Sequence, residues 1–219
     1  MREPPDLFEF WQECPPDARI HPADQKVFDR VPNHGFEVEN ALPGCFMGPL
    51  QTAPVVLLFL SPGLDDGDRP NPELVEWHVR SRSGREPLVA DHVHPPAHGW
   101  WTQRTKFLNR PAEECAEKIA ILNIGAYHSK TFNDHGLLAA LPSSRVVLDW
   151  SQQVLFPEAE AGRRVVICLR AARYWGLEAG MPRRGTLFAP AVTRGGHSHR
   201  SGREEMVSAA QMLMDRTKA

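Results

Sequence analysis

The chain has 219 residues, of which 42% are hydrophobic and 24% are charged, a balance that is typical of a folded globular protein and excludes disorder throughout. The longest apolar run, Val55 to Leu60, is far shorter than the roughly 18 residues that a membrane-spanning helix needs. The opening sequence also lacks the basic and then apolar pattern of a secretory signal. We therefore expect a cytoplasmic protein with no membrane partner.

The charged residues are distributed unevenly along the chain. Residues 1–50 hold nine acidic and four basic side chains, whereas residues 163–203 hold nine arginines and a single acid, Glu178. An arginine cluster of this density indicates a face that binds phosphate or nucleic acid, although solvated arginines on helices and loops would give the same count.

The cysteines give no sign of a metal or cluster framework. The four of them are widely spaced and include no CxxC pair: Cys14, Cys45, Cys115 and Cys168. Structural zinc sites and iron–sulfur clusters need closely paired cysteines, so the spacing predicts four buried, reduced thiols. We expect no metal and no cofactor.

In chain order, the first predicted unit is an arm. Residues 1–50 are interrupted by proline and glycine and contain one helix-like stretch, Pro5 to Glu13. We interpret residues 1–50 as an N-terminal arm that packs on the core, and residues 51–219 as an α/β domain.

Strand and helix signals alternate through the rest of the chain. Four predicted strands are Val55 to Leu60, Lys118 to Asn123, Arg164 to Leu169 and Leu187 to Val192. The first three are apolar runs typical of buried parallel strands, and Pro190 places the fourth at an edge or strand end. Helices are predicted over Asn71 to Arg82, Pro111 to Glu117, Ser144 to Leu155, Ala171 to Ala179 and Ser201 to Thr217. This alternation predicts an α/β fold with a mostly parallel sheet.

The loops that follow the strands form the candidate site, because ligands of such folds bind beyond the carboxyl ends of the strands. Pro62 and Gly63 force a sharp turn whose backbone groups are available to a ligand or a water. Asn123 ends a strand with an amide that both donates and accepts hydrogen bonds. Arg170 and Ala171 follow the third strand, and two histidines, His197 and His199, lie in the loop after the fourth.

A histidine-rich segment, Asp91 to His98, spaces its histidines as metal ligands are often spaced. Its two prolines instead favour an extended loop, so we predict no metal site there. Two readings stay open for the residues that follow, Gly99 to Phe107. They are either core aromatics with a solvated helix or part of a DNA-facing surface.

Three of these segments, in this order, resemble the motifs of the uracil-DNA glycosylase superfamily. The first is Phe59-Leu60-Ser61-Pro62-Gly63, the second is Ile121-Leu122-Asn123 with the residues to Tyr127, and the third is His199-Arg200-Ser201-Gly202. The approach to the first motif, PGCFMGPLQTAPVVLLFLSPG, looks like that of uncharacterised bacterial members. The resemblance covers roughly residues 42–215.

The resemblance implies a three-layer αβα sandwich with a central four-stranded, mostly parallel sheet. It also implies an enzyme that flips a base out of DNA and reads its edge with Asn123, beside Pro62 and Gly63. Ser61 stands where the family carries a water-positioning Asp or Asn, so Asp65 or Asp66 is an alternative carboxylate unless the acidic turn is merely solvated. Trp77, His78 and Phe46 are the nearest aromatics for stacking on the base, and of these we select Trp77.

The late loop supplies the remaining expected roles. A donor at the base O2, from His197 or His199, would stabilise the departing base anion. Arg200 is placed where the family inserts a wedge into the minor groove, and Arg194, Ser201 and Arg203 are expected to hold DNA.

Three functions follow from these residues. The first expectation is a monomeric DNA glycosylase-like protein that excises uracil or another damaged base. The second is a binding module of the same fold without turnover, since Ser61 is a poor base. The third is a hydrolase of free nucleotides or nucleosides. The arginine-rich segment favours a polymeric substrate over such a small molecule.

Overall fold

The computed structural model describes residues 6–191 and 203–216, and these residues fold around a mixed sheet. Five strands form it in the order β1-β3-β2-β4-β5. Their bounds are β1 Phe46–Met47, β2 Val55–Phe59, β3 Ile119–Asn123, β4 Val165–Cys168 and β5 Leu187–Phe188. Strand β1 pairs antiparallel with β3, and every other pairing is parallel.

The α/β class and the four predicted strands are confirmed, but the expected number of strands is wrong. The sheet has a fifth strand, β1, which the sequence analysis missed. Two half-buried residues between turns carry no periodicity, so no pattern distinguishes β1 from a loop. Strand β5 stops at Phe188, before Pro190, as expected for a residue that cannot donate to a ladder.

Nine α-helices surround the sheet in the described part of the chain. They are α1 Leu7–Gln12, α2 Gln25–Arg30, α3 Pro72–Ser81, α4 Pro95–Thr105, α5 Ala112–Lys118, α6 His135–Ala140, α7 Pro142–Trp150, α8 Phe156–Glu160 and α9 Arg203–Arg216. None of these helices combines the length and the apolar character that crossing a bilayer requires.

Two local predictions are wrong. The histidine-rich segment is not an extended loop, since Pro95 is the first residue of α4 and the His94 ring caps that helix by accepting from the Ala97 amide at 2.9 Å. Proline suits this position because its fixed φ matches a helix and its missing amide has no partner there. The helix expected over 171–179 is only the 3₁₀ turn Ala172–Trp175, which ends at Gly176 in the left-handed conformation.

Helices cover both faces of the sheet. On one face, Val56, Leu58, Ala120 and Leu122 pack against side chains of α1, α7 and α8. On the other, Val55, Leu57, Ile119 and Ile121 pack against α3, α4, α5 and α9. Each fully buried Val, Leu or Ile contributes about 1.5–3 kcal/mol, which explains why strands buried on both faces read as unbroken apolar runs.

The N-terminal segment is fastened to the core by buried side chains. Leu7 and Trp11 of α1 lie in the core cluster. The Tyr127 hydroxyl donates to Asp24 at 2.6 Å and accepts from the His21 amide at 3.1 Å. The segment therefore packs on the core and also supplies β1 to the sheet.

Candidate functional site

A cleft of roughly 710 Å³ opens at the carboxyl ends of β2, β3 and β4. The four parallel strands lie side by side in the order β3-β2-β4-β5. The chain therefore leaves β2 towards one edge of the sheet, to form β3, and leaves β4 towards the other edge, to form β5. Loops diverge at such a switch point, and that is where open α/β sheets bind ligands. Residues after all three strands line the cleft, including Ser61, Asn123 and Arg170.

The turn after β2 and the loop after β3 are hydrogen-bonded to each other. The Gly125 amide donates to the Leu60 carbonyl at 2.8 Å, and the Ser129 amide donates to the Pro62 carbonyl at 3.3 Å. The Ser61 hydroxyl donates to the Tyr127 carbonyl at 3.1 Å. The first two sequence motifs therefore form one continuous wall of the cleft.

The N-terminal segment holds the other side of the loop after β3. The backbone amide of Asn123 donates to the Cys45 carbonyl at 2.7 Å, and the backbone amide of Gly44 donates to the Ala126 carbonyl at 2.9 Å. The Glu37 amide donates to the His128 carbonyl, also at 2.9 Å. The position of residues 123–128 thus depends on residues 37–45.

Asn123 presents a polar side chain to an otherwise apolar stretch of the cleft. It lies on the same face of β3 as Ile121, and only 9% of its surface is exposed. No group among residues 6–191 and 203–216 hydrogen-bonds to its side-chain amide. The side-chain oxygen and nitrogen of Asn123 are not fully buried, so solvent reaches them, and a ligand that replaces this solvent must match both the donor and the acceptor.

The aromatic side chains of the cleft differ from those expected. Phe59, Trp100 and Phe132 line it, and the Phe59 and Trp100 rings lie 5.0 Å apart between centroids. Trp77 instead packs in the core of the α3 side and is not among the lining residues. The structure therefore offers Trp100 or Phe132, rather than Trp77, as a surface on which a flat ligand can stack.

The expected carboxylate, Asp65, lies at the exposed rim of the cleft. Its side chain accepts from the Gly67 amide at 3.1 Å and caps the 3₁₀ turn Asp66–Asp68. Asp66 is also exposed and is not among the lining residues. Asp65 thus has a local structural role in addition to its place at the cleft.

Sequence reasoning missed a buried cluster of Asp68, His94 and His128. One Asp68 oxygen lies 2.9 Å from His94 Nε2, and the other lies 3.3 Å from His128 Nδ1. Burial would raise the pKa of Asp68, but hydrogen bonds from His128, His94 and the Asp65 amide outweigh it and hold this pKa well below its ordinary value. Asp68 is therefore ionised, and no sequence signal links three residues so far apart in the chain.

Positive charge at the cleft comes from three segments. Arg104 on α4, Lys130 after β3 and Arg170 after β4 all line it. The Arg104 guanidinium lies 5.6 Å from the Trp100 ring centroid. Burial lowers the pKa of Arg104, and the charge of Arg170 lowers it further.

The loop that carries the third motif falls outside the part of the chain that the structure describes. Arg194, His197, His199, Arg200 and Ser201 lie outside the described residues. Arg203 is described, and it begins α9 as an exposed side chain.

The histidines of the segment 91–98 do not converge. His92 Nε2 lies 3.9 Å from Glu73 Oε1, and His98 Nδ1 lies 3.4 Å from Asp91 Oδ1. His94 pairs with a different carboxylate, that of Asp68. Across the described ranges, no group of three or more His, Cys, Asp or Glu side chains is arranged to hold a metal ion.

In comparisons with known proteins, no family model, no curated protein and no solved structure matches the chain.

Proposed function

We propose that the chain is a DNA glycosylase-like hydrolase that takes a flipped pyrimidine base, uracil first among them, into the cleft and cleaves its N-glycosidic bond. The observation that carries this proposal is Asn123. Its unpartnered amide lines the same cleft as the Ser61-Pro62-Gly63 turn, at the edge of the sheet where α/β folds bind ligands.

The amide of Asn123 suits the edge of uracil. Its oxygen can accept from N3–H while its NH₂ group donates to O4. The flipped amide matches N3 and the N4 amino group of cytosine, so a preference for uracil requires that the bound complex holds the amide in one rotamer; a mispaired buried edge then costs about 1–3 kcal/mol for each group. Trp100 and Phe132 offer the apolar surfaces that a flipped base needs on its faces.

The charges of the cleft match the charges of the reaction. Bond cleavage leaves positive charge on the sugar and negative charge on the departing base. The cleft holds ionised Asp68 together with the cations Arg104, Lys130 and Arg170, and preorganised charges of this kind are commonly the largest contribution to catalysis. The same cations can contact the phosphates of DNA, which supports a polymeric substrate.

One observation supports a second candidate function, a base-binding module without turnover. The Ser61 hydroxyl already donates to the Tyr127 carbonyl, and it is too weak a base to activate water by itself. A cleft of roughly 710 Å³ also has room for a free nucleotide, so the third candidate is a hydrolase of free nucleotides.

The test is incubation with single-stranded and duplex oligonucleotides that contain uracil, hypoxanthine or xanthine, followed by alkaline cleavage at abasic sites. We expect uracil release by the parent and none by Asn123→Ala. Asn33→Ala is the matched control, because Asn33 is exposed and does not line the cleft. Selective binding of uracil DNA without release would indicate the binding module, and release from free deoxyuridine alone would indicate the nucleotide hydrolase. A parent that neither binds nor cleaves any of these substrates would refute the proposal.

A further inference from the structure

A buried carboxylate beside a histidine is the arrangement that general bases use, and this cleft contains one. Asp68 and His128 both line the cleft, and their side chains are 10% and 15% exposed. The sequence motifs assigned no role to either residue. The reaction proposed above needs a group that takes a proton from water, and Ser61 cannot supply it.

The hydrogen bonds around His128 fix the position of its proton. Its Nδ1 lies 2.7 Å from the Gly63 carbonyl and 3.3 Å from Asp68. Both neighbours are acceptors, so Nδ1 carries a proton. In the neutral ring, Nε2 therefore keeps its lone pair, and it is the nitrogen that can accept a proton.

Asp68 is itself held in place by a second histidine. His94 Nδ1 accepts from the Ala97 amide, so the proton of this ring is on Nε2, which donates to Asp68 at 2.9 Å. The Asp65 amide donates to Asp68 as well. These bonds orient the carboxylate and keep it ionised next to His128.

We propose that His128 is the general base that activates water for base excision, and that Asp68 is a positioning residue that stabilises its protonated form. This inference rests on the proposed function. The water oxygen bonds to C1′ of the sugar while the C1′–N bond breaks, and the electron pair of that bond leaves with the base. One water proton passes to His128 Nε2, and His128 then releases this proton through solvent to the departing base anion, so that the net reaction consumes one water and the histidine returns to its starting form.

The first test is His128→Asn, whose side-chain NH₂ can replace Nδ1–H towards Gly63 and Asp68 but provides no base. General base catalysis contributes about 10²–10⁴ in rate. We expect single-turnover excision to fall at least 100-fold, while the affinity for uracil DNA changes less than about threefold. His98→Asn is the matched control, because His98 is also paired with an aspartate but lies outside the cleft lining. It should leave both quantities unchanged.

The second test is the pH profile. A base accepts a proton only in its unprotonated form, so excision by the parent should fall on the acid side. Asp68→Asn removes the negative charge that stabilises the protonated ring formed in the reaction, so the acid limb of its profile should differ from that of the parent and the rate should fall about tenfold. The Gly63 carbonyl still fixes the tautomer, which is why the loss should be smaller than that of His128→Asn. Other charged or titratable groups line the same cleft and keep their identity in the comparison: Asp65, His94, Arg104, Lys130, His135 and Arg170. Of these, His94 loses its bond to the carboxylate, so His94→Asn is measured beside Asp68→Asn.

The outcomes separate the two proposals. A folded His128→Asn protein that excises uracil within threefold of the parent rate, or an acid limb that Asp68→Asn does not move, would overturn the role of this pair and leave the proposed function standing. A parent that binds uracil DNA without excising it would overturn the role of His128 as a base. A parent without binding or excision would refute the proposed function itself.

Discussion

Tyr127 connects the N-terminal segment to the loop that forms the cleft, and its removal tests whether that connection is structural. Tyr127→Phe deletes a hydroxyl that donates to Asp24 at 2.6 Å and accepts from the His21 amide at 3.1 Å. A buried hydrogen bond to a charged group contributes about 1.5–3 kcal/mol and a neutral one about 0.5–1.5 kcal/mol. The free energy of unfolding should therefore fall by about 2–4 kcal/mol, which corresponds to roughly 4–16 °C in Tm for a domain of this size.

The chain contains its own control, because it has only two tyrosines. The Tyr174 hydroxyl accepts from the exposed Arg173 at 2.9 Å, so Tyr174→Phe should cost no more than about 0.5 kcal/mol. Urea unfolding followed by circular dichroism measures both variants. Equal stabilities of Tyr127→Phe and Tyr174→Phe would refute the argument that this network fastens the segment to the core.

Three further predictions concern stability. Burial raises the pKa of the Cys168 thiol from its ordinary 9.0 to about 12. The thiol's contribution to the free energy of unfolding is therefore fully present below pH 9 and is lost as pH rises towards 12, so Cys168→Ala should flatten the decline measured by urea unfolding by up to about 1.4 kcal/mol per pH unit. Burial, and then the charges of His128 and Arg82, lower the pKa of His78 from 6.5 to about 3, so His78→Gln should flatten the loss of stability between pH 6.5 and 3 in the same assay, whereas an unchanged slope would contradict this. Ala171 has a left-handed backbone with φ of 60°, so Ala171→Gly should raise the free energy of unfolding by about 0.5 kcal/mol and Tm slightly. Asn109 has φ of 51°, and Asn109→Gly should raise the free energy of unfolding less, because asparagine tolerates this conformation.

The sheet could be predicted from the sequence because its central strands are buried on both faces. Strands β2, β3 and β4 each read as an uninterrupted apolar run, and their bounds agree with the predicted ones to within one residue. Helix α4 could not be predicted in the same way. Two prolines usually mark the end of a helix, and histidine is an uncommon N-cap residue, so the sequence does not indicate that α4 begins here. The hydrogen bond from the Ala97 amide to the His94 ring supplies the cap.

The candidate site was predictable only in part, for a related reason. Asn123 ends a strand, and Ser61 and Arg170 come shortly after strands, so the rule that ligands bind at strand ends places them without any knowledge of contacts. Asp68 belongs to an acidic turn that reads as solvated, and its two histidine partners lie just before α4 and in the loop after β3. Contacts between distant segments depend on the packing of the whole chain, so no local pattern indicates them.

The arginine-rich segment shows how a count along the chain differs from a charged surface. Arg164, Arg183 and Arg184 pair with Glu158, Glu205 and Glu160, acids that precede or follow the counted segment. Arg164 also donates to the carbonyls of Leu50 and Gln51, which makes it part of the structure rather than a site for DNA. Beside the cleft, Arg170 is joined by two cations from outside the segment, Arg104 and Lys130, and the Lys130 ammonium lies 3.8 Å from a Glu37 carboxylate oxygen. The case for a nucleic-acid partner therefore depends less on the density of arginine in the sequence than on cations that three separate loops and helices bring to the cleft.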